Sequence, residues 1–146
     1  MGLSRKYVVA ALLALGTATA AVGQTDPIKA RQAIMKANGA AVSSLAKMAR
    51  AEIPFDAAAA KAALQTIHNS ATIADLFPAG SDQGDTNALR QVWTDNAGFK
   101  AALARLIAAD DAQLADPPAD LDGVKAALGA LGPACTGCHN SYRAPT

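Results

Sequence analysis

The stretch LDGVKAALGALGPACTGCHNSYR, residues 121–143, places Leu121, Val124, Leu128, Leu131, Cys135, Cys138 and Tyr142 alternately three and four positions apart. That spacing marks one face of an α-helix, and Asp120 just before it is a suitable N-cap. Both cysteines therefore lie on the apolar stripe that the helix turns toward a core. Gly132-Pro133 interrupts the run: proline cannot donate to the Gly129 carbonyl and crowds the preceding turn, so a local kink is expected ahead of Cys135. The stripe keeps its phase across the proline, which predicts one helix instead of two.

Within this helix, Cys135-Thr136-Gly137-Cys138-His139 is a C-x-x-C-H sequence, the attachment signature of c-type haem. Thiols three residues apart on a helix face the same way and can reach two vinyl groups on one side of a porphyrin, and the next imidazole is then available to the iron. A disulfide or a redox-active dithiol competes with this reading in an oxidising compartment, but the strand-helix setting of thioredoxin-like proteins is missing. Zinc held by Cys135, Cys138, His139 and His68 is the third possibility, and adjacent ligands at 138 and 139 suit a tetrahedral site poorly. The reading adopted is one covalent haem c on Cys135 and Cys138, with His139 as an axial iron ligand.

The rest of the chain is built to the same period. Asp26-Pro27 caps and opens a first helix, marked by Ile28, Met35, Val42, Leu45 and Met48 and closed near Ile53-Pro54. Asp56 caps a second, with Ala60, Leu64, Ile67, Ala71 and Ala74 on its stripe and its end at Phe77-Pro78-Ala79-Gly80. Residues 78–92 are rich in Gly, Asp, Ser, Thr and Asn and predict a long crossover with a short helical turn at residues 88–92. Asp95 caps a third helix, which turns Phe99, Leu103, Leu106 and Ile107 one way and is broken by Asp116-Pro117-Pro118. Its Asp110-Asp111 pair reads as a solvated face, Met48 as core and His68 as a boundary histidine. No strand alternation occurs. Four amphipathic helices joined mostly by short loops predict an all-α protein, an antiparallel four-helix bundle with covalent haem near the C-terminus.

Residues 1–23 read as a secretory signal peptide: Arg5 and Lys6 form a basic start, Val8 to Leu15 an apolar run, and Ala21-Val22-Gly23 a small-residue cleavage site, with Ala18-Thr19-Ala20 as the alternative. The apolar run falls short of the roughly 20 residues that cross a bilayer. Residues 24–146 are then a single bundle domain, expected in the periplasm and free of the membrane. Of 13 basic residues 11 remain against 12 acidic ones, and a net charge of −1 gives no sign of a nucleic-acid partner. The five aromatics of this domain are Phe55, Phe77, Trp93, Phe99 and Tyr142, set among many alanines, and a large flat cofactor would help such a core to pack.

Over residues 27–143 the chain resembles the class II c-type cytochromes, the cytochrome c′ family. The resemblance rests on Arg31-Gln32-Ala33-Ile34-Met35, on Leu76-Phe77-Pro78-Ala79-Gly80, on Trp93 with Phe99, and on Cys135 to His139 followed by Tyr142-Arg143. It implies an up-down-up-down topology, of which cytochrome c′ is a standard example. It also implies that Met35 faces the distal side of the haem, that Arg31 lies near a propionate edge and that Arg143 lies beside the proximal histidine. Proteins of this family usually leave the sixth coordination position open, are high-spin and take nitric oxide or carbon monoxide. Their low-spin relatives put a Met thioether on the iron from this helix position. Met35-Lys36-Ala37-Asn38-Gly39 looks more like the latter, and Arg31 more like the former. From spacing alone Met35 is a core methionine and Arg143 a solvated charge favoured near a helix C-terminus.

The first expectation is therefore a periplasmic one-electron carrier with His139 and Met35 on iron and redox proteins as partners. The second is a five-coordinate protein that binds nitric oxide or carbon monoxide on an open distal face. No carboxylate pair or Ser/His/Asp set suggests an enzyme. Pairing of two bundles into a homodimer through their first helices, as in many cytochromes c′, stays open.

Overall fold

The computed structural model describes residues 26–145. The expected signal peptide, residues 1–23, lies outside the described residues. The Asp26 side chain accepts from the Ile28 and Lys29 amides and Pro27 sits in the first turn, which starts α1, Pro27–Ala49. This helix ends before the expected Ile53-Pro54, because the chain turns out through Arg50 and Ala51, the latter at φ 56°. Asp56 accepts from the Ala59 amide at 2.9 Å and opens α2, Ala57–His68. The short α3, Gln91–Thr94, closes the crossover. Asp95 and Asp120 each accept from the amide three residues on and open α4, Asn96–Ala115, and α5, Leu121–Tyr142. Helix α5 runs unbroken through Pro133, as its stripe predicts.

Past His68 the second helix tightens into a 3₁₀ segment, Asn69–Leu76. A period of three in place of 3.6 moves the inward positions. Ser70 and Ile73 are buried, whereas Ala71, expected on the stripe, is exposed and Ala74 only partly covered.

Helices α1 and α4 each pack against both α2 and α5. The four long helices thus form a ring in chain order with antiparallel neighbours, an up-down-up-down four-helix bundle. Leu45, Met48, Leu64, Ile67, Val124 and Leu131 are almost wholly buried at its centre, and Ala60, Ala63, Ala102 and Ala127 let the helices approach closely. One expectation fails here. Asp110 does not lie on a solvated face: it continues the Leu103, Leu106 spacing and is fully buried, whereas Asp111 is exposed.

Leu64→Ala should remove about 2–5 kcal/mol of stability, the usual cost of a cavity in a packed core. Denaturant unfolding of the haem-loaded protein measures it, and a loss below about 1 kcal/mol would show that Leu64 is not packed as described.

Candidate functional site

Helices α1, α4 and α5 and the crossover enclose a cavity of about 650 Å³, within the size range of cofactor sites. Val42, Ile73, Phe77, Leu103, Leu106 and Leu131 give it a largely apolar wall. The six residues singled out from the sequence all line it: Cys135, Cys138 and His139 from α5, Arg31 and Met35 from α1, and Arg143 just past α5. His68 does not. It stands on α2 with Nδ1 3.2 Å from Asp111 and 3.7 Å from Asp110. Among the described residues no three His, Cys, Asp or Glu side chains converge to hold a metal ion, so the zinc set of His68 with the two cysteines and His139 is not assembled.

Both cysteines are free, and burial pushes both thiols above their usual range. That is opposite to the low-pKa thiolate of a reactive dithiol. His139 is shifted the other way: burial first, and the nearby Arg143 charge second, lower its pKa. Both causes favour the neutral imidazole, which is the form that coordinates iron.

The C-terminal end of α5 is tied down on two sides. The Leu89 amide donates to the Tyr142 carbonyl at 2.9 Å, the Ala144 amide donates to Asn87 at 2.8 Å, and Ala88 and Arg143 form a β-bridge. The Tyr142 hydroxyl donates to Asp95 at 2.7 Å, so the cap of α4 also anchors α5. Gly98 makes room for this contact, since a Cβ there would run into the Asp95 carboxylate and the Tyr142 hydroxyl.

Arg31 is only 4% exposed and forms a clamp that sequence reasoning missed. Its Nη1 donates to the Leu76 carbonyl and Ser81 Oγ, and its Nη2 donates to the Ser81 carbonyl at 2.7 Å and Thr86 Oγ1 at 2.8 Å. The guanidinium also lies 4.6 Å from the Phe77 ring centre and 5.5 Å from that of Trp93. Burial lowers its pKa, partly offset by Asp26, yet a guanidinium keeps its charge in a protein. No sequence signal paired residue 31 with Ser81 and Thr86, which read only as loop formers.

These residues suit a haem. The wall is apolar, the volume is adequate, and two thiols, a neutral imidazole and a thioether share one space. A four-helix bundle whose last helix carries C-x-x-C-H into such a cavity defines a class II c-type haem protein. The chain belongs to the cytochrome c′ family, whose sequence model, described as Cytochrome C′, matches residues 26–143. It is 38% identical to the cytochrome c-556 of Agrobacterium fabrum over 144 residues, 98% of each chain. It is also 38% identical to the cytochrome c′ of Rhodopseudomonas palustris over 142 residues, 96% of each chain. The solved structure of cytochrome c′ from that organism superposes with a TM-score of 0.78 at 37% identity, covering 84% of this chain and 99% of the other. Like its family, the chain binds one covalent haem c, and Cys135 and Cys138 fit the attachment motif. The family consists of electron carriers and gas binders. No helix among the described residues is long and apolar enough to cross a membrane.

Arg31→Lys keeps the charge but loses the planar fork that serves four acceptors at once. It should cost about 2 kcal/mol, since hydrogen bonds to a charged donor are among the stronger ones. Hydrogen exchange should quicken at the Ser81, Thr86 and Ala88 amides, and unchanged protection there would show that the clamp does not order the crossover.

Proposed function

We propose that the chain is an exported one-electron carrier with its haem attached at Cys135 and Cys138 and with His139 and Met35 as axial ligands. The observation that carries this reading is that Met35 on α1 and His139 on α5 line one cavity together with both cysteines. The bound haem supplies a one-electron iron couple, and Met/His ligation raises its potential. Cys135 and Cys138 hold the ring, and the residues around them keep water from it. His139 is held neutral by burial and by Arg143, so it coordinates without first losing a proton. Arg31 contributes charge near the propionate side; its four Nη donors already serve the crossover, which leaves Nε–H for a carboxylate. Arg143, exposed beside His139, supplies a second positive charge at that edge. Residues 1–23 direct export, which places the carrier in the periplasm, where soluble redox proteins are its partners.

A second reading is favoured by the close match to the Rhodopseudomonas palustris cytochrome c′. In it the sixth position is open and takes nitric oxide or carbon monoxide, and Met35 is a wall residue.

Mass spectrometry of the protein made in its native periplasm should show a haem adduct that survives denaturation and is lost in the Cys135→Ser, Cys138→Ser double variant. The oxidised protein should be low-spin with a sulfur-to-iron charge-transfer band, and Met35→Ala should abolish that band and lower the potential. A high-spin wild-type spectrum with rapid carbon monoxide binding after reduction would replace the carrier with the gas binder.

A further inference from the structure

The bundle buries one carboxylate that the haem cavity does not use. Asp110 on α4 has no exposed surface, and neither Oδ1 nor Oδ2 has a hydrogen-bond partner among the described residues. The groups that face it come from three helices. His68 on α2 brings Nδ1 to 3.7 Å of Asp110 Oδ2, Asp111 is its neighbour on α4, and Cys135 on α5 is near enough for the Asp110 charge to raise its thiol pKa. The ion pairs of the described residues bring no Lys or Arg to it. An unpaired carboxylate in a protein interior is costly, and the usual relief is to bind a proton. Burial pushes Asp110 up to about 6, with Asp111 reinforcing the shift and His68 opposing it.

His68 does not bond Asp110: its Nδ1 stands 3.7 Å from Oδ2, beyond hydrogen-bond reach, and is itself buried without a hydrogen-bond partner among the described residues. Solvent is nonetheless close on this side, since the His68 side chain is 40% exposed and that of Asp111 is 60% exposed. Cys135 supplies the link to the redox site: this haem-attachment residue packs from α5 against the core cluster that holds Leu103 and Leu106, on the same side of α4 as Asp110.

We propose that Asp110 is a proton-binding site coupled to the haem, taking up one solvent proton when a one-electron donor reduces the protein and returning it on oxidation. One electron and one proton enter together. The proton leaves a hydronium ion of the solvent, an O–H bond forms on the Asp110 carboxylate, and oxidation reverses both changes. The electron lowers the positive charge next to Cys135, which raises the proton affinity of the nearest buried carboxylate; by linkage, ionising that carboxylate favours the oxidised form. This inference rests on the proposed haem attachment at Cys135, and it holds whether or not Met35 binds iron.

The test is the reduction potential of the haem-loaded protein measured against pH, in the wild type, Asp110→Asn and His68→Asn. The wild-type potential should fall from a higher to a lower plateau as pH rises through the Asp110 titration. Asp110→Asn should stay flat at the higher plateau, because its amide is neutral throughout, and His68→Asn should keep both plateaus. A step that persists undiminished in Asp110→Asn overturns the inference, as does a step lost only in His68→Asn. Reduced-minus-oxidised infrared spectra of wild-type protein with ¹³C-labelled aspartate give a reading that needs no variant to fold. A protonated aspartate carbonyl band should grow on reduction, and its absence would overturn the coupling. A high-spin spectrum, by contrast, would remove Met35 from the iron and leave this result untouched.

Discussion

The enclosure of the cavity depends on the way one cation is buried. Arg31 reaches from the first turns of α1 into the crossover between the second and third long helices and satisfies four acceptors there with one rigid fork. Each acceptor is a carbonyl or hydroxyl that the loop could not satisfy by regular secondary structure. Phe77 and Trp93 pack on the same guanidinium, so the clamp also fixes aromatic rings. Phe77 passes the contact on to Phe99 at 4.9 Å and Phe99 to Tyr142 at 5.5 Å, both edge to face. Tyr142 in turn bonds Asp95. An unbroken series of contacts therefore runs from the start of α1 to the end of α5, where His139 is presented.

Among the described residues two ionisable side chains, Arg31 and Asp110, are buried, and they are treated in opposite ways. Arg31 meets neutral dipoles at every Nη position, which compensates its desolvation without another ion. Asp110 meets none, and its environment disfavours the charged form. The first arrangement rigidifies a wall of the cavity and is independent of pH near neutrality. The second leaves a titratable group within electrostatic reach of Cys135, in a medium where charge is poorly screened. A structural charge is thus secured by donors and acceptors, and a responsive one is left short of them.

Much of the architecture was legible from residue spacing. The caps Asp26, Asp56, Asp95 and Asp120 mark helix starts because a short acidic side chain satisfies an otherwise free amide. The α5 stripe survives Pro133 because the apolar positions on either side stay in phase. The second helix was legible only to His68: the change to a 3₁₀ period leaves no mark in an alanine-rich run, so Ala71 was assigned inward when Ile73 is the buried residue. Asp110 was misread because a pair of acids suggests a solvated face, although the Leu103, Leu106 spacing already carried residue 110 inward.

For the site, the sequence by itself determined the chemistry, since C-x-x-C-H on a helical stripe states which atoms lie together within one turn. Local spacing is enough for that, because residues three and four apart are neighbours on any helix. Only the tertiary structure decided that Met35 and Arg31 share the cavity of Cys135, Cys138 and His139, that Arg31 is bound to Ser81 and Thr86, and that Asp110 is buried beside His68. Those pairings join residues tens of positions apart. They follow from how four helices pack, which no local pattern encodes.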